Sequence, residues 1–466
     1  MGLRRERRVL AGIVALGVVV YSWLSFIRLT NYMASAYDLV IFDQAVRSYS
    51  EFKLPIAIVK GVHNGFGPGF SVLGDHWSPI LATLAPLYWI YDGPQTLLLA
   101  QAVLFASAAI PLWVFTKRAL GVGVAHLVAL SYVISWPVVE AVAFDFHEAA
   151  FVPLLTAVML ERWQAGKRLG VVLAALGLLC VKEDMGLLLA GFGVFLLTQR
   201  SWRWMGGGFV ALGLGFTWFA SQVLIPHFGG RADYYWAYGA LGANPSGVVH
   251  TALTDPLAVV AQLGTPPVKL LTLGLLLALT LGAALFSPLM LMAVPLLAER
   301  MLASAFANWW VPDFHYNAFI VVVLFAAGVD GVRRRKFPAR KWAVGVLVVA
   351  VGCVPFFFMA RLYNTTSYHL DAREVAASEA VELVPDGVTV EAVNNLAPAL
   401  TSRDTVLLWD RTPRWAPWVV ADVGHETFPF TGLAEQRERV AYLLDHGYTT
   451  VFSSEGYVVL KASGSR

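Results

Sequence analysis

The chain has 466 residues, of which 58% are hydrophobic and only 14% are charged. This composition excludes a soluble multidomain protein and is typical of a polytopic helical membrane protein. A formal net charge of +3 at pH 7 gives no electrostatic signature of nucleic-acid binding, so no nucleic-acid partner is expected.

The N-terminus combines a basic start with a long apolar run over residues 9–27. That run has about the length needed to cross a bilayer and exceeds the apolar core of a usual signal peptide. Although Ala34-Ser35-Ala36 resembles a signal-peptidase site, we interpret the run as an uncleaved first membrane helix.

Further apolar runs predict about 11 spans in all. They cover residues 95–116, 122–143, 149–161, 169–181, 184–198, 204–225, 270–285, 287–301, 316–330 and 342–360. The basic clusters fall at every second turn of this topology, which places them in the cytoplasm. We therefore expect a multi-pass protein of the plasma (inner) membrane with a cytoplasmic N-terminus.

This topology requires that the apolar piece 79–91 does not cross the membrane. The piece is short and contains Pro79 and Pro86, which favours an interfacial or re-entrant helix. The acid- and histidine-bearing turns and the C-terminal tail then all face the extracytoplasmic side.

The composition changes near residue 362, where charged residues become frequent again. Alternating segments such as GVTVEAV, DTVLLW and YTTVFSSEGYVVL predict short strands, with a helix over residues 432–446. The sequence thus predicts a transmembrane domain over residues 1–361 and a small extracytoplasmic α/β domain over residues 362–466.

The first loop, residues 31–78, is the most polar segment between apolar runs. Asp38 and Asp43 are too far apart to share a helix face, so a single carboxylate is expected to act. Asp43 opens a predicted amphipathic surface helix, where it is either a functional group or an N-cap. Asp75 and His76 end the loop and either cap the next helix or contact a substrate.

Two other turns hold ionisable groups between spans. Asp145, His147 and Glu148 lie in FDFHE with no polar linker on either side, so desolvation is severe unless they face an aqueous cavity or one another. Lys182 follows a span. It can reach the membrane interface, pair with Glu183 or Asp184, or hold a lipid phosphate.

His315 and Tyr316 form a weaker cluster at the start of a later span. Several histidines are expected on the outer side, but none belongs to a tight metal-binding motif such as HExxH. We therefore predict no cofactor and no metal ligand; a divalent cation has no supporting motif.

Several segments, in order along nearly the whole chain, carry a resemblance to a known family: YDLVIFDQAV, GDHWSPILATLAPLYWIYDGPQTLLLAQAV, FDFHEAAFVPLL, KED, FHYNAFIVVVLFAAGV and NNLAPALTSRD. Together they resemble the membrane family called domain of unknown function 2079, which is similar to the GT-C class of membrane glycosyltransferases. The resemblance implies a GT-C-like, all-α membrane domain with an acidic residue in the first extracytoplasmic loop, which falls on Asp43. Gln44 stands where many GT-C proteins have a second acid, which removes one possible metal ligand. Lys182 matches, loosely, a lysine that contacts a lipid phosphate.

These observations predict a glycosyltransferase that moves a sugar from a polyprenyl-phosphate donor to a cell-envelope acceptor, with Asp43 as general base. The expected substrate-binding residues are Asp38, Asp75, His76, Asp145, His147, Glu148, Lys182, Glu183, His315 and Tyr316. A transporter or flippase of envelope precursors and a non-catalytic envelope-assembly scaffold remain alternative hypotheses.

Overall fold

The computed structural model describes residues 2–231 and 235–464. The N-terminal helices are α1 (Gly2–Thr30), α2 (Ile41–Ser50), α3 (Ile58–His63), α4 (Ala85–Tyr88), α5 (Pro94–Ser107), α6 (Ala109–Leu120), α7 (Val122–Val133), α8 (Trp136–Ala143), α9 (Phe151–Gln164), α10 (Arg168–Leu179) and α11 (Met185–Leu197). They are followed by α12 (Arg203–Phe219), α13 (Ile225–His227), α14 (Pro245–Thr254), α15 (Pro256–Gln262), α16 (Val268–Ala278), α17 (Val294–Leu302), α18 (Ala318–Arg335), α19 (Ala339–Cys353), α20 (Ala372–Glu382), α21 (Ala397–Leu400) and α22 (Leu433–Asp445).

Within those residues, 6 helical stretches are long and apolar enough to cross a membrane, by length and composition. They are Arg4–Thr30, Pro94–Leu120, Val122–Ala143, Arg203–His227, His315–Arg335 and Ala339–Phe356. Shorter apolar helices occupy Pro79–Tyr88, Arg168–Leu179, Met185–Leu197 and Val268–Ala278. The fold is therefore mostly helical, and the expected total of about 11 spans remains a prediction.

The region expected to form two spans over residues 270–301 is broken into short pieces. After α16, 3₁₀ turns cover Ala283–Phe286 and Pro288–Met292 before α17 begins. Gly282 has a left-handed φ of +72°, and Pro288 cannot donate a helical hydrogen bond. These local features explain why the apolar composition does not give two continuous helices.

Helix α18 is the centre of the helical domain. Every residue from Ala318 to Val332 is buried, and a helix that is apolar on all sides belongs in a core. Its first turn lies beside the polar groups described below, whereas Arg333, Arg334 and Arg335 occupy its last turn.

Helices α11 and α12 pack closely through paired glycines. A Cβ atom on Gly186 would lie 2.3 Å from the carbonyl oxygen of Gly213, and one on Gly193 would lie 2.7 Å from that of Gly206. Small residues of this kind let two membrane helices approach closely. The pairing fixes the turn that precedes α11 against the end of α12.

The C-terminal residues form a sheet with strand order β2-β1-β3-β5-β4. The strands are β1 (Thr389–Ala392), β2 (Thr405–Leu408), β3 (Trp418–Asp422), β4 (Tyr448–Ser454) and β5 (Tyr457–Ala462). β1 is parallel to β2 and β3, whereas β5 is antiparallel to β3 and β4. The sheet and α22 agree with the predicted α/β character, and β3 is an additional strand.

The C-terminal sheet domain packs directly on the first loop. The amide of Ala36 donates to the carbonyl of Asn394 at 2.7 Å, and the Gln44 side chain donates to the carbonyl of Val406 at 3.1 Å. Helix α2 is therefore half covered by protein: Ile41 through Val46 are buried, which differs from a helix lying freely on the membrane surface.

Candidate functional site

A cavity of about 190 Å³ lies between the first loop, the turn before α11 and the start of α18. Five of the residues predicted to bind substrate line it: Asp75, His76, Lys182, Glu183 and Tyr316. The sequence analysis did not select the other lining residues, which are Asp184, Thr217, Ser221, Ile225, Arg231, Tyr235, Trp236, Tyr238, Leu296, Glu299, Arg300, Trp309 and Phe319. The cavity thus combines aromatic walls with both signs of charge.

The turn between α10 and α11 brings the KED segment to this cavity. The hydroxyl of Thr217 on α12 donates to the carbonyl of Glu183 at 3.0 Å, and the glycine pairing of α11 with α12 holds both helices in place. Lys182 is 6% exposed and lies 5.8 Å from the ring centre of Phe319. A buried ammonium facing an aromatic cavity is suited to bind an anion.

A chain of buried charges connects Lys182 to the first loop. Lys182 Nζ lies 3.6 Å from Glu148 Oε1. The His147 imidazolium donates through Nδ1 to Glu148 Oε2 at 3.0 Å and through Nε2 to Asp38 Oδ1 at 3.2 Å. Four groups from three segments that are far apart in sequence thus form one network.

This network determines the protonation of its members. Burial alone lowers the pKa of His147, but the charge of Glu148 and the hydrogen bond to Asp38 outweigh it and raise that pKa to about 9. Burial also raises the pKa of Asp38 despite its contact with His147. At neutral pH His147 is therefore a cation held between two carboxyl groups.

His315 stacks on this network. Its ring centre lies 3.8 Å from that of His147 and 4.2 Å from that of Tyr316. The side chain is 2% exposed, and neither ring nitrogen has a hydrogen-bond partner among the described residues. His315 therefore joins the network to the cavity wall through ring contacts.

The end of the first loop forms a second set of ion pairs at the cavity. Asp75 Oδ1 lies 3.0 Å from Lys60 Nζ and accepts a hydrogen bond from Tyr235 at 2.7 Å. His76 Nδ1 lies 2.7 Å from Glu183 Oε1. Burial raises the pKa of Asp75, but the charges of Lys60 and His76 together with the hydrogen bonds from Tyr235 and Lys60 outweigh it and leave that pKa below its usual value. Asp75 is therefore a stable anion.

Asp145 faces away from the cavity and fastens the start of the first loop. Its carboxylate accepts hydrogen bonds from the backbone and hydroxyl of Ser35 at 2.8 and 2.9 Å and pairs with Arg28 at 3.2 Å. The substrate-binding role expected for Asp145 therefore lacks support from its position.

Asp43 also lies outside the cavity. It is 0% exposed, and its oxygens accept hydrogen bonds from Tyr88 and Thr401, both at 2.8 Å, while Arg47 pairs with it at 2.7 Å. The N-cap of α2 is Val40, so the capping interpretation is wrong. Both oxygens of Asp43 have protein partners, and Asp43 does not line the cavity. The general-base role expected for Asp43 stays a prediction.

Asp184 and Arg300 are the most informative residues that the sequence analysis did not select. Asp184 Oδ1 is buried without a hydrogen-bond partner among the described residues, and burial raises the pKa of this carboxyl to about 6. Arg300 donates to the carbonyls of Trp309 and Tyr316 at 2.6 and 3.1 Å, which positions the Tyr316 ring. Asp184 belongs to the KED segment, whose cluster of charges after a span could have drawn attention to it. Arg300 lies inside the expected span 287–301, so the sequence offered no comparable signal for it.

Among residues 2–231 and 235–464, no group of three or more His, Cys, Asp or Glu side chains is arranged to hold a metal ion. Asp38, His147 and Glu148 are hydrogen-bonded to one another.

Solved structures show a similar fold. ArnT from Cupriavidus metallidurans bound to undecaprenyl phosphate matches with a TM-score of 0.55 and 12% identity, over 97% of this chain and 98% of that chain. The archaeal oligosaccharyltransferase AglB from Archaeoglobus fulgidus, in complex with an inhibitory peptide and a dolichol-phosphate, matches with a TM-score of 0.46 and 12% identity, over 98% of this chain and 74% of that chain. ArnT is a GT-C glycosyltransferase, so the chain has a GT-C-like fold.

No curated protein sequence matches the chain. A family model, described as "Predicted membrane protein (DUF2079)", matches residues 28–457. This match covers most of the chain and confirms the resemblance drawn from the sequence motifs: the protein belongs to the DUF2079 family of membrane proteins.

Proposed function

We propose that this protein is a membrane glycosyltransferase that moves a sugar from a polyprenyl-phosphate carrier to an acceptor in the cell envelope. The observation that carries the proposal is the cavity in which buried Lys182 lies beside carboxylates and aromatic rings. The GT-C-like fold supports it, and ArnT is bound to undecaprenyl phosphate. The similarity to ArnT is the basis for proposing a polyprenyl phosphate as the carrier.

Lys182 is the proposed contact for the carrier's phosphate. Its ammonium is a compact positive charge at the cavity wall, and such a charge suits phosphate oxygens. Arg231 lines the same cavity and adds a second cation. Together they would stabilise the negative charge that develops on the leaving phosphate.

Asp38 is the proposed general base, in place of Asp43. An acceptor hydroxyl attacks the anomeric carbon in line with the leaving phosphate, so the base belongs on the far side of that carbon from Lys182. Asp38 is separated from Lys182 by His147 and Glu148, whereas Asp184 is two residues from it. Neither Asp38 nor Asp43 lines the cavity. The Asp38 side chain is 26% exposed, whereas Asp43 is fully buried, so Asp38 is the one of the two that an acceptor can reach.

In the proposed step, the acceptor oxygen forms a bond to the anomeric carbon as the bond from that carbon to the phosphate oxygen breaks. The hydroxyl proton passes to the Asp38 carboxylate, and the electron pair of the broken bond stays on the lipid phosphate. The proposed role of Asp184 is to accept a hydrogen bond from the donor sugar, since its Oδ1 is unpaired.

The proposal also assigns the side of the membrane that the cavity faces. The buried helix α18 has the cavity residue Tyr316 at its start and Arg333 to Arg335 at its end. A helix of 18 residues is about 27 Å long, close to the thickness of the hydrocarbon core. Basic clusters favour the cytoplasmic side, so the cavity and the C-terminal sheet domain are assigned to the extracytoplasmic side of the plasma membrane.

The test compares Asp38→Asn with Asp43→Asn at matched expression. We expect Asp38→Asn to lower transfer by about 10²- to 10⁴-fold, with loss of an envelope glycan and accumulation of its lipid-linked donor. Asp43→Asn should lower activity only in proportion to the loss of folded protein. Unchanged glycan with altered solute uptake would instead support a transporter, and no change in either would support a scaffold.

Carrier binding provides a second test. Purified protein in nanodiscs should bind undecaprenyl phosphate, and Lys182→Gln should weaken this binding while Asp38→Asn leaves it intact. Equal binding by Lys182→Gln and the wild type would remove the phosphate contact from the proposal.

A further inference from the structure

Helices α14 and α15 form a hairpin whose side chains face outward. None of the residues in either helix is buried. Four large aliphatic side chains are especially exposed: Val249 at 58%, Leu253 at 79%, Leu257 at 78% and Val260 at 63%. Val249 and Leu253 are four residues apart on α14, and Leu257 and Val260 are three apart on α15. Each pair therefore lies on one face of its helix.

Polar contacts fasten the hairpin to the rest of the protein. Thr251 donates to the carbonyl of Leu241 at 2.7 Å, and Gln262 donates to that of Ala303 at 2.9 Å. The buried Lys269 ammonium donates to the carbonyls of Gln262 and Ala303 at 2.9 and 2.7 Å. These hydrogen bonds hold the backbone of the hairpin in place, while its four large aliphatic side chains remain exposed.

Along the chain, the hairpin lies between two helices that expose large apolar side chains. The hairpin joins α12, part of a candidate span, to the apolar helix α16. α12 exposes Trp218 at 64%, and α16 exposes Leu270 at 60%. In a membrane protein such outward apolar residues contact lipid, so the segments on both sides of the hairpin in the chain face the bilayer.

The scarcity of charged residues in this segment supports lipid as the partner of the exposed face of the hairpin. Residues 235–268 contain no Lys or Arg, and Asp255 is the only carboxylate in that range. Asp255 is used as the N-cap of α15, where it accepts a hydrogen bond from the amide of Ala258 at 3.1 Å. A helix that lies in the membrane interface buries its apolar face among the headgroups and acyl chains.

We propose that α14 and α15 insert Val249, Leu253, Leu257 and Val260 into the bilayer surface beside the cavity. The same chain segment supplies the cavity residues Tyr235, Trp236 and Tyr238. The inserted hairpin therefore holds the cavity mouth at the depth of lipid headgroups. This inference does not depend on the transfer reaction.

The test uses the full chain in nanodiscs with Cys180 and Cys353 replaced by Ser. A spin label is attached to a single cysteine at Leu253→Cys or Leu257→Cys. The membrane control is Leu214→Cys on α12, which is 52% exposed, and the water control is Glu438→Cys on the exposed side of α22. Collision rates with oxygen and with a water-soluble nickel chelate are measured for each label.

The labels at 253 and 257 should shift to the high oxygen and low nickel collision rates found at 214. Rates like those at 438 would overturn the proposal, because the hairpin would then lie in water. Protection from both reagents would also overturn it, since a protein surface or a second copy of the chain would then cover the hairpin. If the spin-labelled variants fold poorly, quenching of a bimane label by brominated lipids measures the same immersion.

Discussion

Thr401 of the C-terminal sheet domain donates a hydrogen bond to Asp43 of helix α2 at 2.8 Å, across 358 positions of the chain. Both groups are buried, and Arg47 pairs with the same carboxylate at 2.7 Å. The contact joins the first loop to the sheet domain. It gives the Asp43 carboxylate a structural role.

Asp43→Asn should therefore destabilise the docking of the sheet domain. Loss of one partner from a buried ion pair costs about 3 kcal/mol, although Arg47 keeps Asp92 at 2.7 Å. Thr401→Val removes a hydrogen bond to a charged group and should cost about 1.5–3 kcal/mol of folding free energy. Thermal unfolding in detergent and limited proteolysis of the sheet domain measure both effects.

Thr405→Val is the matched control for Thr401→Val. Thr405 lies on the same domain but is exposed, so its substitution should leave the unfolding midpoint unchanged. If Thr401→Val behaved like Thr405→Val, the contact with Asp43 would not hold the domains together.

The environment of Asp43 could not be predicted from the sequence. The acidic first loop, the amphipathic helix within it, the KED turn and the α/β tail all follow from local composition and periodicity. That the tail would cover Asp43 depends on a partner 358 positions away, which no local pattern encodes. The difference in exposure between Asp38 and Asp43 is visible only in the tertiary fold.

The network around His147 also depends on contacts between segments that are far apart in sequence. Desolvation predicted that the ionisable groups of FDFHE must face water or one another, and His147 with Glu148 does the latter. Asp145 belongs to the same motif but pairs with Arg28 on α1. Residues in one turn point in different directions, and the motif alone does not distinguish them.

Stability should fall in alkaline solution because His147 loses its charge. The pKa of His147 in the folded protein, about 9, exceeds the value of 6.5 for an unperturbed histidine. Its contribution is therefore complete below pH 6.5 and is lost as the pH rises through about 9. The full contribution is on the order of 3 kcal/mol.

The unfolding midpoint of the wild type, His147→Gln and His250→Gln should be measured from pH 6 to pH 10. His147→Gln should remove most of the alkaline slope, whereas His250→Gln should keep it because His250 is exposed. An unchanged slope in His147→Gln would assign the alkaline transition to another group.

Gly213→Ala tests the close packing of α11 on α12. An added Cβ would lie 2.3 Å from the carbonyl oxygen of Gly186 and 2.7 Å from the amide nitrogen of Ala190, so the helices must separate. We expect a loss of about 1–3 kcal/mol and weaker carrier binding, because these helices position the KED turn. Thermal unfolding and undecaprenyl-phosphate binding measure the two effects.

Gly215→Ala is the control for that substitution. It lies on the same helix with no atom within 4 Å of the added Cβ. Alanine also favours a helix over glycine by up to about 1 kcal/mol, so the variant should be as stable as the wild type or more so. A similar loss at both positions would mean that helix propensity, and not contact with α11, sets the result.

Asp184→Asn should stabilise the protein at pH 8 while weakening its binding of a lipid-linked sugar. Burial raises the pKa of Asp184 from 3.8 to about 6. The penalty for the charged carboxylate is absent below the unfolded pKa of 3.8, grows as the pH rises from there, and is complete above about 6; it is therefore small near pH 4. Removal of that charge should gain about 1–2 kcal/mol at pH 8, after allowance for solvent in the cavity.

The gain should disappear toward pH 4, and the exposed Glu438→Gln should show no such pH dependence. Unfolding midpoints at pH 4, 6 and 8 measure the stability, and titration of nanodiscs with the donor lipid measures the binding. A loss of stability at pH 8 would instead identify Asp184 as the structural partner of Lys182. In that case the unpaired Oδ1 would not serve the substrate, because a carboxylate that stabilises the fold is committed to its counter-ion.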